Sequence, residues 1–411
     1  MAIIKPFRAL RPVAERAEQV ACAPYDVISE AEAREFIRAN PNSFLKVTRP
    51  EAEFAENANA SDAEIFARAR QNLEKFIDEK LFARDAEPCV YLYRLEGETH
   101  QQTGVVACCS LDEYERGAIK KHEKTRPDKV EDRTNHMLAV RAQTGLIFLA
   151  FRNTETIKTL IFEATRGKPI YDFRCAENIR QTVWRVTLTD DFVAAFAAEV
   201  SALYIADGHH RIESALLARE ILRDKNAEHT GAEDYNFVIA GMFPAENLQI
   251  LAYNRIVKDL NGLSEAKFFE RLRENFAVAE TTEKQPQRKG EFCMYVNKNW
   301  YKLRFTGKFS QELNSTERLD ASILQKYVLK PILGIDDERT DTRIGFVGGR
   351  RGVSELEKMV DEGEARVAFS MFPTTMDELL AVSDAGEIMP PKSTWFEPKL
   401  RDGLLIHLLE D

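Results

Sequence analysis

Cysteine is scarce in this sequence, and the few cysteines form no recognisable pattern. There are 6 in 411 residues, and no two are separated by two residues. A disulfide scaffold is not expected in a chain of this length, and a cysteine zinc site lacks its ligand spacing. Cys108 and Cys109 lie in an apolar run. We therefore expect packed thiols there rather than redox chemistry.

Long apolar runs and an excess of basic residues are also missing. No stretch approaches the roughly 18 apolar residues of a membrane span, so none is expected. Lys and Arg number 57 against 67 Asp and Glu, which gives a net charge of -10. This balance argues against duplex nucleic acid as a partner but leaves room for a local phosphate pocket. The first residues lack a secretory apolar region, so we expect a cytoplasmic protein.

What the sequence does contain is typical of a globular chain with a large core. Hydrophobic residues make up 44% and charged residues 30% of the 411 positions, and this length favours two or three domains. Segments typical of strands and helices alternate, which predicts an α/β or mixed α+β fold. We expect an α/β core over residues 1–257, a small α+β unit over 258–312, and a C-terminal α/β segment over 313–411 that could pack back on the core.

Several elements have clear local signals. Ser29 and Glu32 have the spacing of a helix N-cap with a capping box. Two β-rich runs, Val90–Leu95 and Thr103–Ala107, predict a hairpin. Residues 111–143 are mostly helix-forming and strongly charged, which predicts helix over most of that stretch.

The sharpest functional signal is the string Asp-Gly-His-His-Arg at residues 207–211. With 7 His in 411 positions, chance predicts only about 0.1 adjacent pairs. An apolar strand over 203–206 runs into the string, and an amphipathic helix from Ile212 to about Arg223 leaves it. Such a strand-loop-helix unit places backbone N–H groups at a helix N-terminus, where they favour an anion.

The residue types in this loop fit a phosphate. Gly208 lets the backbone approach closely, Arg211 offers a bidentate fork, and His209 and His210 add donors. The alternative is a solvated helix start whose histidines cap carbonyls.

A metal site is a further alternative, and we expect none. Adjacent histidines point in divergent directions. His122 and Glu123 begin like a zinc-protease helix, but Arg126 occupies the place of the second histidine.

Two other segments could contribute to a site. Residues 120–133 mix both charge signs, which is typical of a solvated helical face but also suits a carboxylate base beside cations. In the proline-rich segment 389–399, Lys392, Thr394 and Lys399 could face a ligand, although a plain connecting loop is equally consistent with the sequence.

These segments resemble a known family. The chain is identified as a member of the bacterial and archaeal domain-of-unknown-function family 1015 over essentially its full length. The matching stretches are Lys5–Ala9, Ala23–Ile28, Ile119–Arg133, Tyr204–Arg211 and Met389–Lys399. Locally, residues 207–211 also resemble the phosphate loop of the ParB and sulfiredoxin superfamily, with the same spelling as in free serine kinases.

The resemblance implies a ParB/sulfiredoxin-like core and a nucleotide-dependent phosphotransferase. It would use ATP or ADP with Mg²⁺ and a small hydroxyl-bearing substrate such as free L-serine. Glu123 is the counterpart in character of the kinases' glutamate base, although it lies 84 residues before Asp207. The expected catalytic residues are Glu123, Asp207 and His122. The expected nucleotide-binding residues are Gly208, His209, His210, Arg211, Lys129, Arg133, Lys392, Thr394 and Lys399.

Two other classes of protein use the same loop. A ParB-type regulatory or partner-binding module would bind nucleotide with little or no transfer to a small acceptor. A sulfiredoxin-type redox protein needs a cysteine in the loop, and residues 207–211 contain none. Formation of a phosphorylated product separates the first class from a kinase.

Overall fold

The computed structural model describes residues 2–55, 59–307 and 313–409. It divides into two compact units. The first comprises Met1–Leu248 and Pro398–Asp411, and the second comprises Gln249–Glu397. The second unit is therefore inserted into the sequence of the first.

The first unit is built on a nine-stranded sheet. Its strands before the insertion are β1 (Ile4–Lys5), β2 (Leu10–Pro12), β3 (Phe82–Arg84), β4 (Val90–Glu96), β5 (Gln101–Ser110), β6 (Ile119–Lys120), β7 (Ala142–Gln143), β8 (Ile147–Phe151), β9 (Tyr171–Arg174), β10 (Arg180–Val186), β11 (Leu203–Asp207) and β12 (Phe237–Pro244). The order in the sheet is β6-β11-β8-β12-β5-β4-β10-β9, with β1 paired to β5. The predicted hairpin is confirmed as β4 and β5. The central strand β8 is buried throughout, as its unbroken apolar run predicts for a strand covered on both faces.

Nine α-helices among the described residues accompany this sheet. They are α1 (Ala17–Val20), α2 (Glu30–Ala39), α3 (Leu45–Thr48), α4 (Asp62–Asp78), α5 (Leu111–Glu115), α6 (Pro127–Val140), α7 (Glu155–Ala164), α8 (Asp190–Glu199) and α9 (His209–Lys225). The predicted capping box of α2 is confirmed, because the Ser29 hydroxyl accepts the Glu32 N–H and the Glu32 carboxylate accepts the Ser29 N–H.

The second unit has its own sheet and core. Its strands are β13 (Ile250–Leu251), β14 (Tyr253–Val257), β15 (Phe276–Glu280), β16 (Glu291–Val296), β17 (Asn299–Phe305), β18 (Ile344–Gly348), β19 (Val367–Met371) and β20 (Trp395–Phe396), and its helices are α10 (Glu265–Leu272), α11 (Asp320–Leu324), α12 (Gly352–Asp361) and α13 (Met376–Asp384). Six strands form a sheet in the order β15-β17-β16-β19-β14-β18, and β13 pairs with β20. Buried aromatic residues such as Phe268, Phe292 and Phe369 fill its core.

After the insertion the chain returns to the first unit. The backbones of Cys22 and Asp402 exchange two hydrogen bonds of 3.1 and 3.2 Å. The last strand, β21 (His407–Leu408), then pairs antiparallel with β7. The residues around Lys399 and Asp402 are thereby anchored beside the first 30 residues.

The observed units differ from the division expected from the sequence. The expected small unit over 258–312 and segment over 313–411 share one sheet, because β16 pairs with β19. The boundary at residue 257 falls at the end of β14, which belongs to that same sheet. The boundary at residue 312 lies outside the described residues. Strand pairing between distant segments, which the sequence does not display, joins these parts.

The charged stretch 111–143 is not mostly helix, which corrects the expectation for its central part. Helix α5 ends at Glu115, Gly117 follows with a positive φ of 76°, and β6 comes next. Residues 121–126 are irregular, and α6 begins at Pro127, which suits the first turn of a helix. The mixed α+β class itself is confirmed. In the described parts of the chain, no helix is both long and apolar enough to cross a membrane.

Candidate functional site

The predicted strand-loop-helix unit is present, and its loop is shorter than expected. The buried strand β11 pairs with β8, and its register shifts between Ile205 and Asp207. Gly208 follows with φ 99° and ψ 26°, a left-handed conformation that favours glycine. Helix α9 begins at His209 rather than at Ile212. The two histidines and Arg211 therefore belong to its first turn.

Close packing beneath Gly208 fixes the direction of this turn. A Cβ atom at this position would lie 3.4 Å from the Ile147 Cα atom of β8. Gly208 is the N-cap of α9, and among the described residues no side chain caps the helix. The first N–H groups of α9 are thus available to an anionic ligand.

Two cations lie at this helix start. The Arg211 guanidinium donates to the Leu146 carbonyl, and its Nη2 lies 3.8 Å from Asp26 Oδ2. The Lys399 ammonium is paired with the Asp207 carboxylate. Only 13% of the Arg211 side chain and 17% of the Lys399 side chain are exposed. Both charges are therefore poorly hydrated, which strengthens their interaction with any anion that reaches them.

The carboxylates around these cations have strongly shifted pKa values. Burial raises the pKa of Asp207, but the charges of Lys399 and Arg211 more than offset this, so its pKa lies well below the usual range. Burial raises the pKa of Asp402 to about 7, although Arg211 lowers it. Asp207 is therefore a firmly ionised partner of Lys399, whereas Asp402 exchanges its proton near neutral pH.

The sequence did not single out Asp26, Asp402 or Tyr25 as site residues. Together with Arg133 and Arg211, Tyr25 and Asp402 line a cavity of about 40 Å³, room for two or three water molecules. The Arg133 guanidinium lies 4.4 Å from the centre of the Tyr25 ring. The only sequence signal for these residues was that the stretch 23–28 matches the family; nothing in it indicated a role.

The histidines form a second group at the same helix start. The His209 ring is 4.6 Å from the His122 ring, in edge-to-face contact. The His122 backbone N–H donates to His209 Nε2 at 3.4 Å, and His209 Nδ1 lies 4.0 Å from Glu123 Oε2. The Arg126 N–H donates to His210 Nε2 at 3.1 Å. The irregular segment 121–126 is thus fastened to the first turn of α9.

Burial lowers the pKa values of the two inner histidines. The pKa of His122 falls to about 4, although Asp207 raises it. The pKa of His209 lies well below its usual range because of burial and the neighbouring His122. Both rings are therefore neutral at pH 7, and neither adds positive charge to the site.

The remaining residues predicted from the sequence are placed differently. Lys129 is exposed in the first turn of α6. Lys392 and Thr394 belong to the second unit, where the Lys392 ammonium lies 5.5 Å from the Tyr253 ring centre. Within the described ranges, no three His, Cys, Asp or Glu side chains are grouped so as to hold a metal ion.

This chain belongs to the family described as Protein of unknown function (DUF1015), whose family model matches residues 4–322. A comparison with curated proteins finds no match.

Solved structures similar to the chain include three proteins. A free serine kinase in complex with AMP is 14% identical, with 71% of this chain and 86% of the kinase chain covered and a TM-score of 0.35. SbnI with a C-terminal truncation, from Staphylococcus aureus, is 13% identical, with 74% and 87% covered and a TM-score of 0.39. A conserved hypothetical protein from Pyrococcus furiosus is 15% identical, with 74% and 95% covered and a TM-score of 0.36. What the site can do follows from this chain's own residues.

Proposed function

We propose that this protein is a nucleotide-dependent phosphotransferase that acts on a small hydroxyl-bearing metabolite, with free L-serine as the first acceptor to test. One observation carries the proposal. The start of α9 brings together backbone N–H groups, the cations Arg211 and Lys399, and the carboxylate of Glu123. An anion site beside a carboxylate is the minimum that transfer of a phosphoryl group to a hydroxyl requires.

The division of labour follows from the chemistry. Phosphoryl transfer asks a protein mainly for positioning and for stabilisation of charge on the transferred group. The N–H groups after Gly208 and the Arg211 guanidinium would hold phosphate oxygens of ATP or ADP, with Mg²⁺ bridging them. Glu123, with 39% of its side chain exposed, would accept the proton of the acceptor hydroxyl.

Binding would require the two cations to exchange partners. Lys399 is paired with Asp207, and Arg211 faces Asp26. A phosphate that enters would compete with these carboxylates, and Mg²⁺ would offset the repulsion between the phosphate and Asp207. We therefore expect nucleotide binding to depend strongly on Mg²⁺.

The test is a screen for product with the purified full chain. Phosphorus NMR would follow Mg-ATP and Mg-ADP with L-serine, other hydroxyl amino acids and small alcohols. A new phosphomonoester signal that needs protein, nucleotide and acceptor supports the proposal. Tight nucleotide binding without any such product would instead favour a ParB-type regulatory module, for which the exchange of Lys399 between Asp207 and a phosphate would be the conformational trigger.

A further inference from the structure

The ring of His209 lies between two fixed groups, and these determine which of its nitrogens holds the proton. The His122 backbone N–H donates to Nε2 at 3.4 Å. A backbone amide can only donate, so Nε2 must be the acceptor and lack a proton. The other nitrogen, Nδ1, then carries the proton of the neutral ring.

That Nδ1–H points to Glu123. Glu123 Oε2 lies 4.0 Å from Nδ1, slightly beyond a direct hydrogen bond, and the Glu123 side chain is 39% exposed and has room to move. Only 5% of the His209 side chain is exposed, and it is held by the first turn of α9 and by the His122 ring. The histidine is thus the fixed partner and the carboxylate the movable one.

From this geometry we infer that His209 is a positioning residue for Glu123 and not a phosphate ligand. Its only ring proton is directed at the carboxylate, so none is left to donate to a phosphate. Closing the 4.0 Å gap would orient Glu123 with one oxygen held by Nδ1–H and the other directed to the acceptor hydroxyl. This inference rests on the proposed function for its catalytic part but not for the state of the ring.

The surroundings keep the ring neutral. The titratable and charged groups that face it are His122 and Lys121 from the segment before α6, Asp207 from β11, His210 from α9, and Glu123. The positive end of the α9 dipole and burial also disfavour an imidazolium. A neutral donor stabilises the charged form of Glu123 without neutralising it, as suits a carboxylate that must take up a proton.

The first experiment needs no turnover. The full chain labelled with ¹⁵N in its histidines would be studied by long-range proton–nitrogen correlation NMR from pH 8 to pH 5, with His209→Asn to assign the His209 signals. We expect Nδ1 to be protonated and Nε2 unprotonated throughout, and Glu123→Gln to shift the Nδ1 signal. A proton on Nε2, or an imidazolium at pH 7, would overturn the inference whatever the activity of the protein.

The second experiment separates positioning from phosphate binding. The amide of Asn overlays Nδ1 of a histidine, and that of Gln overlays Nε2. We expect His209→Asn to keep kcat within a few-fold of wild type. His209→Gln and His209→Leu should lower kcat roughly 10- to 100-fold, part of the roughly 10²–10⁴-fold that a positioned base contributes, with little change in KM for nucleotide.

The pH profile provides a further readout. Loss of the donor in His209→Leu should move the acid limb of kcat to higher pH, because Glu123 then loses a bond that stabilises its charged form. If all three variants instead weaken nucleotide binding and leave this limb in place, His209 is a phosphate ligand and the inference is wrong. A failure of wild type to form any product would count against the proposed function alone, since the NMR result stands independently.

Discussion

Arg211 is a nearly buried cation whose partners are a carbonyl and a carboxylate, so it is held in place before any ligand arrives. Arg211→Ala should weaken binding of Mg-ATP by about 1.5–3 kcal/mol, because charge-assisted bonds to phosphate are lost. Isothermal titration calorimetry would measure the affinity. Arg223→Ala, which removes an exposed charge from the far end of the same helix, is the matched control and should have little effect. Equal affinities for the two variants would remove Arg211 from the site.

Glu123 offers the sharpest residue-level test of the chemistry. Glu123→Gln keeps the shape of the side chain but loses the proton acceptor, so turnover should fall by roughly 10²–10⁴-fold with nucleotide affinity nearly unchanged. Initial rates of product formation and a separate binding measurement would check both parts. Glu131→Gln removes an exposed carboxylate from α6 and should leave turnover intact. A fall of the same size in both variants would argue for a general effect of charge.

At this scale the sequence predicted what a local motif can carry. Gly208 and Arg211 were found because glycine, histidine and arginine stand together in five residues. Asp26 and Asp402 could not be found, because they join the site through pairing of chain segments about 380 residues apart, Cys22 with Asp402. The Leu146 carbonyl that holds Arg211 has no sequence signature at all, since every residue carries one.

The start of α9 depends on a backbone conformation that only glycine adopts without strain. Gly208→Ala should destabilise the protein by about 1–2 kcal/mol and also weaken nucleotide binding, because relief of the strain turns the first N–H groups of the helix. Gly117→Ala is a matched control, since Gly117 also has a positive φ of 76° and has open space for a Cβ atom. Urea unfolding should show similar losses for both variants. Nucleotide affinity should fall only for Gly208→Ala, and a parallel fall in both would show that the loss is not local.

Elements with strong periodicity or caps were predictable, and those set by punctuation were misjudged. The capping box of α2 and the hairpin of β4 and β5 depend on neighbouring residues, so they were evident in the sequence. The stretch 111–143 was expected to be mostly helix because its charges recur at helical spacing. Gly117 and Pro127 were the contrary signals, and they bound the irregular segment that carries His122 and Glu123.

Across the whole molecule, each unit contains a buried carboxyl whose pKa burial raises to about 7: Asp402 in the first and Asp320 in the second. Between about pH 4 and pH 7 the folded chain keeps protons that the unfolded chain has released, so stability should fall as the pH rises through this window. In Asp402→Asn the fall should be smaller, since the amide does not titrate. Urea unfolding at pH 5 and pH 7.5 would measure it, with Asp320→Asn as the counterpart in the second unit. An unchanged slope in both variants would contradict the prediction.

The insertion of the second unit has a consequence for the order in which the site is made. A ribosome delivers Asp207 and Arg211 early, whereas Lys399 and Asp402 follow only after the whole second unit, about 150 residues later. At roughly 5–20 residues per second, this leaves an interval on the order of 10–30 s during synthesis. In that interval the nascent helix start has its arginine but neither the lysine nor the buried acid, and the edge of β7 waits for β21. The nascent chain therefore passes through a stage in which the second unit can fold before the site of the first is complete.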